Sequence, residues 1–268
     1  MTALPEITPD DEPQPTRGCG VDIGGSGVKG AIVDLRDGSL VGERVRIETP
    51  QPATPEAVAA TVKKIVDQLS WVGPVGVTLP AVVTDGVART AANIDPAWIG
   101  CDAAALFSAA LDGRTATVLN DADAAGLAED RYGAGRDASG VVVLLTFGTG
   151  IGSAVLNNGI LLPNTEFGHL EVDGKEAEQR AAASVREHDD LSWKEWSKEV
   201  SLVLERFEAL LWPDLFIAGG GVSRKADKWI PRLTCRTKVV AAELENTAGI
   251  VGAAMAANAT AADATATY

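Results

Sequence analysis

Apolar positions along this chain fall into short runs broken by glycine and into longer stretches with helical spacing. VDIGGSGVKGAIVDL places two apolar runs around Gly24-Gly25-Ser26-Gly27 and predicts strand, glycine turn, strand. Asp37-Gly38 predicts a hairpin into a third strand, LVGERVRI. Thr54-Pro55-Glu56 opens a helix with proline at its first position, and Val58, Val62, Ile65, Val66 and Leu69 line one face. PVGVTLPAVV predicts another strand, and NIDPAW a polar loop carrying an aromatic.

A second unit opens near Ala116, with ATVLN as a strand ending at Asn120-Asp121 and DAAGLAEDRY as the helix behind it. VVVLLTFGTGIGSAVLNNGILL then repeats the opening design of strand, glycine turn, strand, hairpin, strand. Gly25 and Gly27 precede Gly38 at about the interval by which Gly148 and Gly150 precede Gly159, an internal repeat that suggests two related domains. Ser192 and Glu195 make a capping box for a long helix to Leu211, whose apolar rows include Trp196, Val200, Val203, Leu204, Phe207, Leu210 and Leu211. DLFIAGGGVS predicts a strand, a triple-glycine turn and a helix; the Gly- and Ala-rich NTAGIVGAAMAA predicts a closely packed last helix. The alternation of strands and helices is that of an α/β protein.

Composition narrows the function classes. The 268 residues are 46% hydrophobic, enough for a large core, and no run is long enough to span a membrane. The acidic, proline-rich start lacks the apolar stretch of a signal peptide and reads as a disordered tail. Three scattered cysteines fit reduced thiols in the cytoplasm better than disulfides or a zinc site. A net charge of −14 argues against nucleic-acid binding, although a local basic groove could still hold a polyanion.

Three glycine turns follow apolar strands: Gly24-Gly25-Ser26-Gly27, Gly148-Thr149-Gly150 and Gly219-Gly220-Gly221. Each could be a plain tight turn; together they favour a cleft where main-chain N–H groups cradle phosphate oxygens. None has P-loop spacing, and GGSGVKG lacks the helix that a dinucleotide motif needs after its glycines. Asp22, before the first turn, reads as a turn cap or as a carboxylate orienting magnesium near a transferring phosphate. Asn120-Asp121 reads as a helix cap or as a cap with a carboxylate base beside it. The segment from Pro163 to Glu171 gathers hydrogen-bonding groups suited to sugar hydroxyls, with His169 alternatively a structural histidine. Arg224, Lys225 and Lys228 read as a wet surface or as contacts to a phosphate chain.

Taken together, DIGGSGVKG, LNDADAAGLAE, FGTGIGSAV, PNTEFGHLEV and IAGGGVSRKADKW resemble the ROK family of sugar kinases, in order from about Gly18 to Ala257. Within it they look most like the members that phosphorylate glucose with polyphosphate. The resemblance implies an actin-like ATPase fold with a central cleft. It divides the chain into a tail (1–17), an α/β domain (18–117) joined by the C-terminal helix (246–257), a second α/β domain (118–245) and a loose tail (258–268). It places the catalytic base on Asp121 and sugar contacts on Asn93, Asn120, Asp121, Glu166, His169 and Glu178, with Glu176 an alternative to Glu178. Donor phosphates fall to Asp22, Gly24, Gly25, Ser26, Gly27, Lys29, Gly148, Thr149, Gly150, Gly220, Gly221, Arg224 and Lys228. It further implies Mg2+ with the donor, held through Asp22, polyphosphate or ATP as donor, and a homodimer. Ser26 stands where the family usually has threonine, and the family's zinc-binding cysteines are missing after His169, so no structural metal is expected there. A non-catalytic sugar-binding regulator and a hydrolase of phosphate chains are the competing classes; retention of Asp121 and the glycine turns speaks against the first.

Overall fold

The computed structural model describes residues 16–91 and 94–265, the last five by backbone alone. β1 (Arg17–Gly24) and β2 (Gly27–Asp34) form the predicted hairpin around Gly25-Ser26, and β3 (Leu40–Ile47) adds to it antiparallel. α1 (Pro55–Gln68) is capped by the Thr54 side chain, which accepts the Ala57 amide, and it buries Val58, Val62, Ile65 and Val66. β4 (Val75–Leu79) runs parallel to β1 and stops before Pro80, which has no N–H for a ladder. The predicted strand PVGVTLPAVV is therefore divided. Beyond the proline, β5 (Val83–Thr84) pairs with β6 (Val87–Ala88) as a short hairpin. α2 (Ala103–Ala110) then leads into β7 (Ala116–Asn120), which lies parallel to β4.

α3 (Asp121–Tyr132) follows directly. β8 (Val141–Phe147), β9 (Ile151–Asn157) and β10 (Ile160–Leu162) form the repeated meander, with Asn158 and Gly159 both left-handed at its hairpin, as a two-residue turn of this kind requires. The hairpin of β11 (Glu171–Val172) and β12 (Lys175–Glu176) precedes α4 (Ala177–Ala181) and α5 (Ala183–His188). α6 (Trp193–Leu211) opens with the complete capping box at Ser192 and Glu195. Its predicted apolar rows are buried as far as Phe207, while at the helix end Leu211 is half-buried and Leu210 is 52% exposed. β13 (Leu215–Gly219) lies parallel to β8; the helix predicted after it is a 3-10 turn, Gly221–Lys225, and the four-residue α7 (Ala226–Trp229). β14 (Lys238–Ala241) closes the second sheet, and α8 (Ala248–Thr265) ends the described chain.

The two sheets have the orders β3-β2-β1-β4-β7 and β10-β9-β8-β13-β14, each an antiparallel meander of three followed by two parallel strands. The internal repeat is therefore a repeat of topology. β7 corrects the sequence reading, which began the second unit with it: it is the edge strand of the first sheet, so that sheet continues through Asn120, past the boundary at 117. A local pattern identifies a strand, but its partner decides the sheet. The stretch 258–268, read as loose, continues α8 as far as Thr265, in keeping with the high helix propensity of its alanines.

α8 joins the halves. It packs on β1 and β4 of the first sheet and on α3, at distances that only glycines allow. A Cβ on Gly20 would lie 1.9 Å from the Ile250 carbonyl oxygen, and one on Gly76 would lie 1.8 Å from that of Ala253. On the α3 side, Gly252 admits the Ala124 carbonyl in the same way. The buried Glu129 of α3 fixes the lead-in to α8, accepting the amides of Ala134, Glu243 and Leu244 at 2.9, 3.1 and 2.7 Å.

Candidate active site

Asp22 sits near the end of β1, two residues before the first glycine turn. Thr78, opposite it on β4 and wholly buried, donates to Asp22 Oδ1 at 2.9 Å. Lys29, opposite it on β2, brings Nζ to 3.6 Å from Oδ2. Lys29 thus serves first as the counter-charge of Asp22. Arg46, opposite Lys29 on β3, donates to the Ser26 carbonyl at 3.0 Å and braces the turn. Thr78 and Arg46 escaped the sequence reading; a lone hydroxyl in the otherwise apolar VGVTL was the available signal for the first.

The glycines of the three turns separate into two kinds. Gly27 is needed to admit Arg46, Gly150 to admit Glu178, and Gly220 is left-handed with its α-carbon against the Phe147 backbone. Gly25, Gly148 and Gly221 are different: an added Cβ would meet nothing within 4 Å, and none of the three is left-handed. Among the described glycines these three alone combine open space with ordinary backbone angles, and there is one in each turn. Neither folding nor packing explains them. Each also borders a cavity. Gly25 lines one of about 220 Å³ with Thr49, Gln51, Asp95 and Trp98; Gly148 and Gly221 line one of about 430 Å³ with Ser184, Arg186 and Lys225.

Two cations, Arg186 and Lys225, line the second cavity. Arg186 lies over the Trp193 ring at 3.9 Å, and its buried Nε has no hydrogen-bond partner. Ser184 Oγ donates to the Thr149 carbonyl at 2.6 Å and its N–H to the Gly148 carbonyl at 3.1 Å, which fixes the turn. Lys225 is exposed at the rim. Arg224 is instead turned to Glu245, at 3.3 Å, and Lys228 lies outside the lining. No pattern in the sequence pointed to Arg186 or Ser184, which approach the turn only through the fold.

At the junction of the halves, Asn120 is the cap of α3. Its Oδ1 accepts the amides of Ala122 and Asp123 at 2.8 and 3.1 Å, and its Nδ2 donates to the Ala81 carbonyl at 3.2 Å. Only one amide hydrogen of this buried side chain is left for a sugar. Because Asn120 does the capping, Asp121 is spared that role; one of its oxygens accepts the Ala122 amide at 2.9 Å. Burial, with the charge of Asp22 and a smaller contribution from Glu166, pushes the Asp121 carboxyl up to about 6. The carboxylates of Asp22 and Asp121 present hard oxygen ligands beside the first glycine turn, a donor set that fits Mg2+ carried on phosphate oxygens.

Glu166, His169, Glu176 and Glu178 gather on the second half. His169 Nδ1 is 3.5 Å from Glu176 and 4.0 Å from Glu178. Burial raises the Glu166 carboxyl, His169 opposes the shift and Glu178 adds to it. Glu178 also accepts the Ile151 amide at 3.3 Å beside the second glycine turn. Both glutamates reach the histidine, but Glu178 is the one whose charge Glu166 feels. Asn93 lies outside the described residues.

Comparison with protein families matches residues 18–184 to the ROK family. The chain belongs to the ROK family. A polyphosphate glucokinase of Mycobacterium tuberculosis (strain CDC 1551 / Oshkosh) is 64% identical over 239 residues, covering 89% of this chain and 90% of that relative. The crystal structure of an inorganic polyphosphate/ATP-glucomannokinase from Arthrobacter sp. strain KM is 52% identical, with a TM-score of 0.84 over 90% of this chain and 97% of the other. A ROK family glucokinase from Streptomyces griseus, solved with glucose and AMPPNP, shares the fold at 23% identity, with a TM-score of 0.77 over 91% and 99% of the two chains. The two sheets are thus those of the ROK sugar kinases, an actin-like ATPase fold.

Proposed function

We propose that this ROK protein is a glucokinase that transfers the terminal phosphoryl group of inorganic polyphosphate to the 6-hydroxyl of glucose. The observation that carries the reading is the set of three glycines, one per turn, kept bare where neither fold nor packing asks for it. Space of that kind beside main-chain N–H groups suits phosphate oxygens. The names of the relatives at 64% and 52% identity give the substrates.

In this reading Asp121 orients the 6-hydroxyl and takes its proton as the O6–phosphorus bond forms and the bond from phosphorus to the departing chain breaks. A carboxyl held at about 6 is mostly ionised at neutral pH and is a better proton acceptor than an ordinary aspartate. Glu166, His169 and Glu178 read the sugar hydroxyls, with Asn120 and Asn93 as further contacts. Thr78 and Lys29 hold Asp22 in place, and Asp22 would hold Mg2+, which supplies charge neutralisation on the phosphates. Gly25, Gly148 and Gly221 leave room for the chain, and Arg186 and Lys225 meet its charge.

The 430 Å³ of the second cavity, walled by Trp193, favours a second donor, because it offers space beyond the turn that a nucleoside could fill. The relative named as a polyphosphate/ATP enzyme agrees with a dual-donor reading. Initial rates of glucose 6-phosphate formation with each donor at matched concentrations of phosphate ends test both readings. Faster turnover with ATP would overturn the polyphosphate preference. Donor consumption without sugar phosphate would replace the kinase with a hydrolase. A cytoplasmic setting, supported by three free thiols, and a homodimer complete the proposal; fractionation and light scattering check them. Among the described residues no helix is long and apolar enough to cross a membrane.

A further inference from the structure

Asn164 stands at the start of the loop that carries Glu166 and His169, with its backbone left-handed at φ 59°. Its side-chain amide faces the main chain of Val83 squarely: Oδ1 accepts the Val83 N–H at 2.8 Å and Nδ2 donates to the Val83 carbonyl at 2.8 Å. A side chain here makes both hydrogen bonds that a neighbouring strand would make. Val83 belongs to β5, which sits on the first half, whereas Asn164 follows β10 of the second.

Two further contacts tie this clasp to the base. The N–H of Asn164 donates at 2.7 Å to Oδ2 of Asp123, a buried residue two positions after Asp121 in the first turn of α3. Asn120, the cap of the same helix, holds Ala81, two residues before Val83. The segment 81–83, the start of α3 and the start of the sugar loop therefore close on one another. Beyond Asn164 the loop is moored separately to β9, where Ser153 Oγ donates to the Thr165 carbonyl at 2.6 Å and accepts the Phe167 amide at 3.0 Å. Glu166 lies between Thr165 and Phe167, both held by Ser153, two residues beyond the clasp to the first half.

We propose that Asn164 is a positioning residue, a clasp that holds the two halves at the spacing glucose needs and so sets sugar affinity without touching the sugar. The proposal rests on the glucose reading above. If the Asn164 side chain is lost, the loop stays on β9 and, through the residue's own N–H, on Asp123, but its fastening to Val83 is gone, so Glu166 and His169 no longer face the first half at a fixed distance. The donor cavity between the second and third glycine turns lies wholly on the second half and is unaffected.

Asn164→Gly removes the clasp while tolerating the left-handed backbone. Glucose Kd by calorimetry without donor, and KM for glucose, are expected to rise about 10- to 100-fold, the worth of two neutral hydrogen bonds. The donor KM is expected to rise less than the glucose KM, since the lining of the larger cavity, all of it on the second half, does not change. Asn164→Asp keeps the acceptor for the Val83 N–H but sets a carboxylate against the Val83 carbonyl; it should weaken glucose binding in the same sense, and it carries the test if the glycine variant does not fold. Wild-type glucose affinity in a folded variant would overturn the clasp alone. So would an equal rise in both KM values, which would mark a general loss of structure. A wild-type chain that binds no glucose would remove the glucose reading, and the clasp's role with it.

Discussion

The two halves share a strand order but equip their first glycine turns in opposite ways. Under the turn between β1 and β2 lies a charge, Asp22, steadied by Thr78 and Lys29. Under the turn between β8 and β9 lies an aromatic floor. Phe147 meets Trp196 and Trp229 edge-on at 5.7 and 5.8 Å, and those two rings lie 5.0 Å apart. Trp229 donates to the Val222 carbonyl behind the third turn, and Trp196 to the Ala181 carbonyl. Contacts of this kind contribute roughly 0.5–1.5 kcal/mol each beyond their buried area and fix orientation. A duplicated topology has thus diverged into a half with a charged residue under its turn and a half with a stiff aromatic layer under its own.

The largest expected effect comes from Asp121→Asn, which leaves the surroundings of both turns intact and removes the proposed base. Turnover should fall about 10²–10⁴-fold, and full activity would move the chemistry elsewhere. Stability should move the other way. The folded carboxyl sits at about 6, above its ordinary value of 3.8, so it favours folding at low pH and loses that contribution as pH rises toward 6. The variant should therefore melt higher than wild type at pH 7, with the gain gone below about pH 4.

Next, Gly25→Ala and Gly148→Ala should each raise the donor KM about 10-fold or more by displacing one charge-assisted hydrogen bond, with melting temperature unchanged. Gly150→Ala should behave otherwise, because its methyl would lie 2.4 Å from Glu178 Oε2 and so disturb the sugar side and stability. Like effects from all three would erase the distinction between bare and crowded glycines. A smaller signature is the acid limb of kcat/KM for glucose, expected near pH 6, where Asp121 takes up its proton, rather than near 4. Smallest is Arg186→Ala, which should raise the polyphosphate KM about 3- to 10-fold, with the effect shrinking in salt, and leave the glucose KM alone.

The sequence showed its local designs well. The strand-turn-strand units, the capping box at Ser192 and the proline start of α1 all lie where periodicity and turn chemistry put them, because each depends on residues close in the chain. Assignments that depend on distant partners did not follow from pattern. β7 joined the first sheet through β4, and Lys29 and Arg224 found carboxylates at Asp22 and Glu245. Motif resemblance led to Asp121, Glu166 and His169, but Arg186 on α5 and Thr78 on β4 meet their neighbours only through the fold, and Asn164, although inside the motif, gave no sign of its bonds to Val83.

α8 has a consequence for the order of synthesis. The glycine-lined faces of β1 and β4 are covered by residues from Ala248 onward, made more than 160 residues after Gly76. On the ribosome the first sheet must wait, its seat for the helix empty, until nearly the whole chain has emerged. A stop codon just before Ala248 would consequently strip cover from the oldest part of the chain, not the newest.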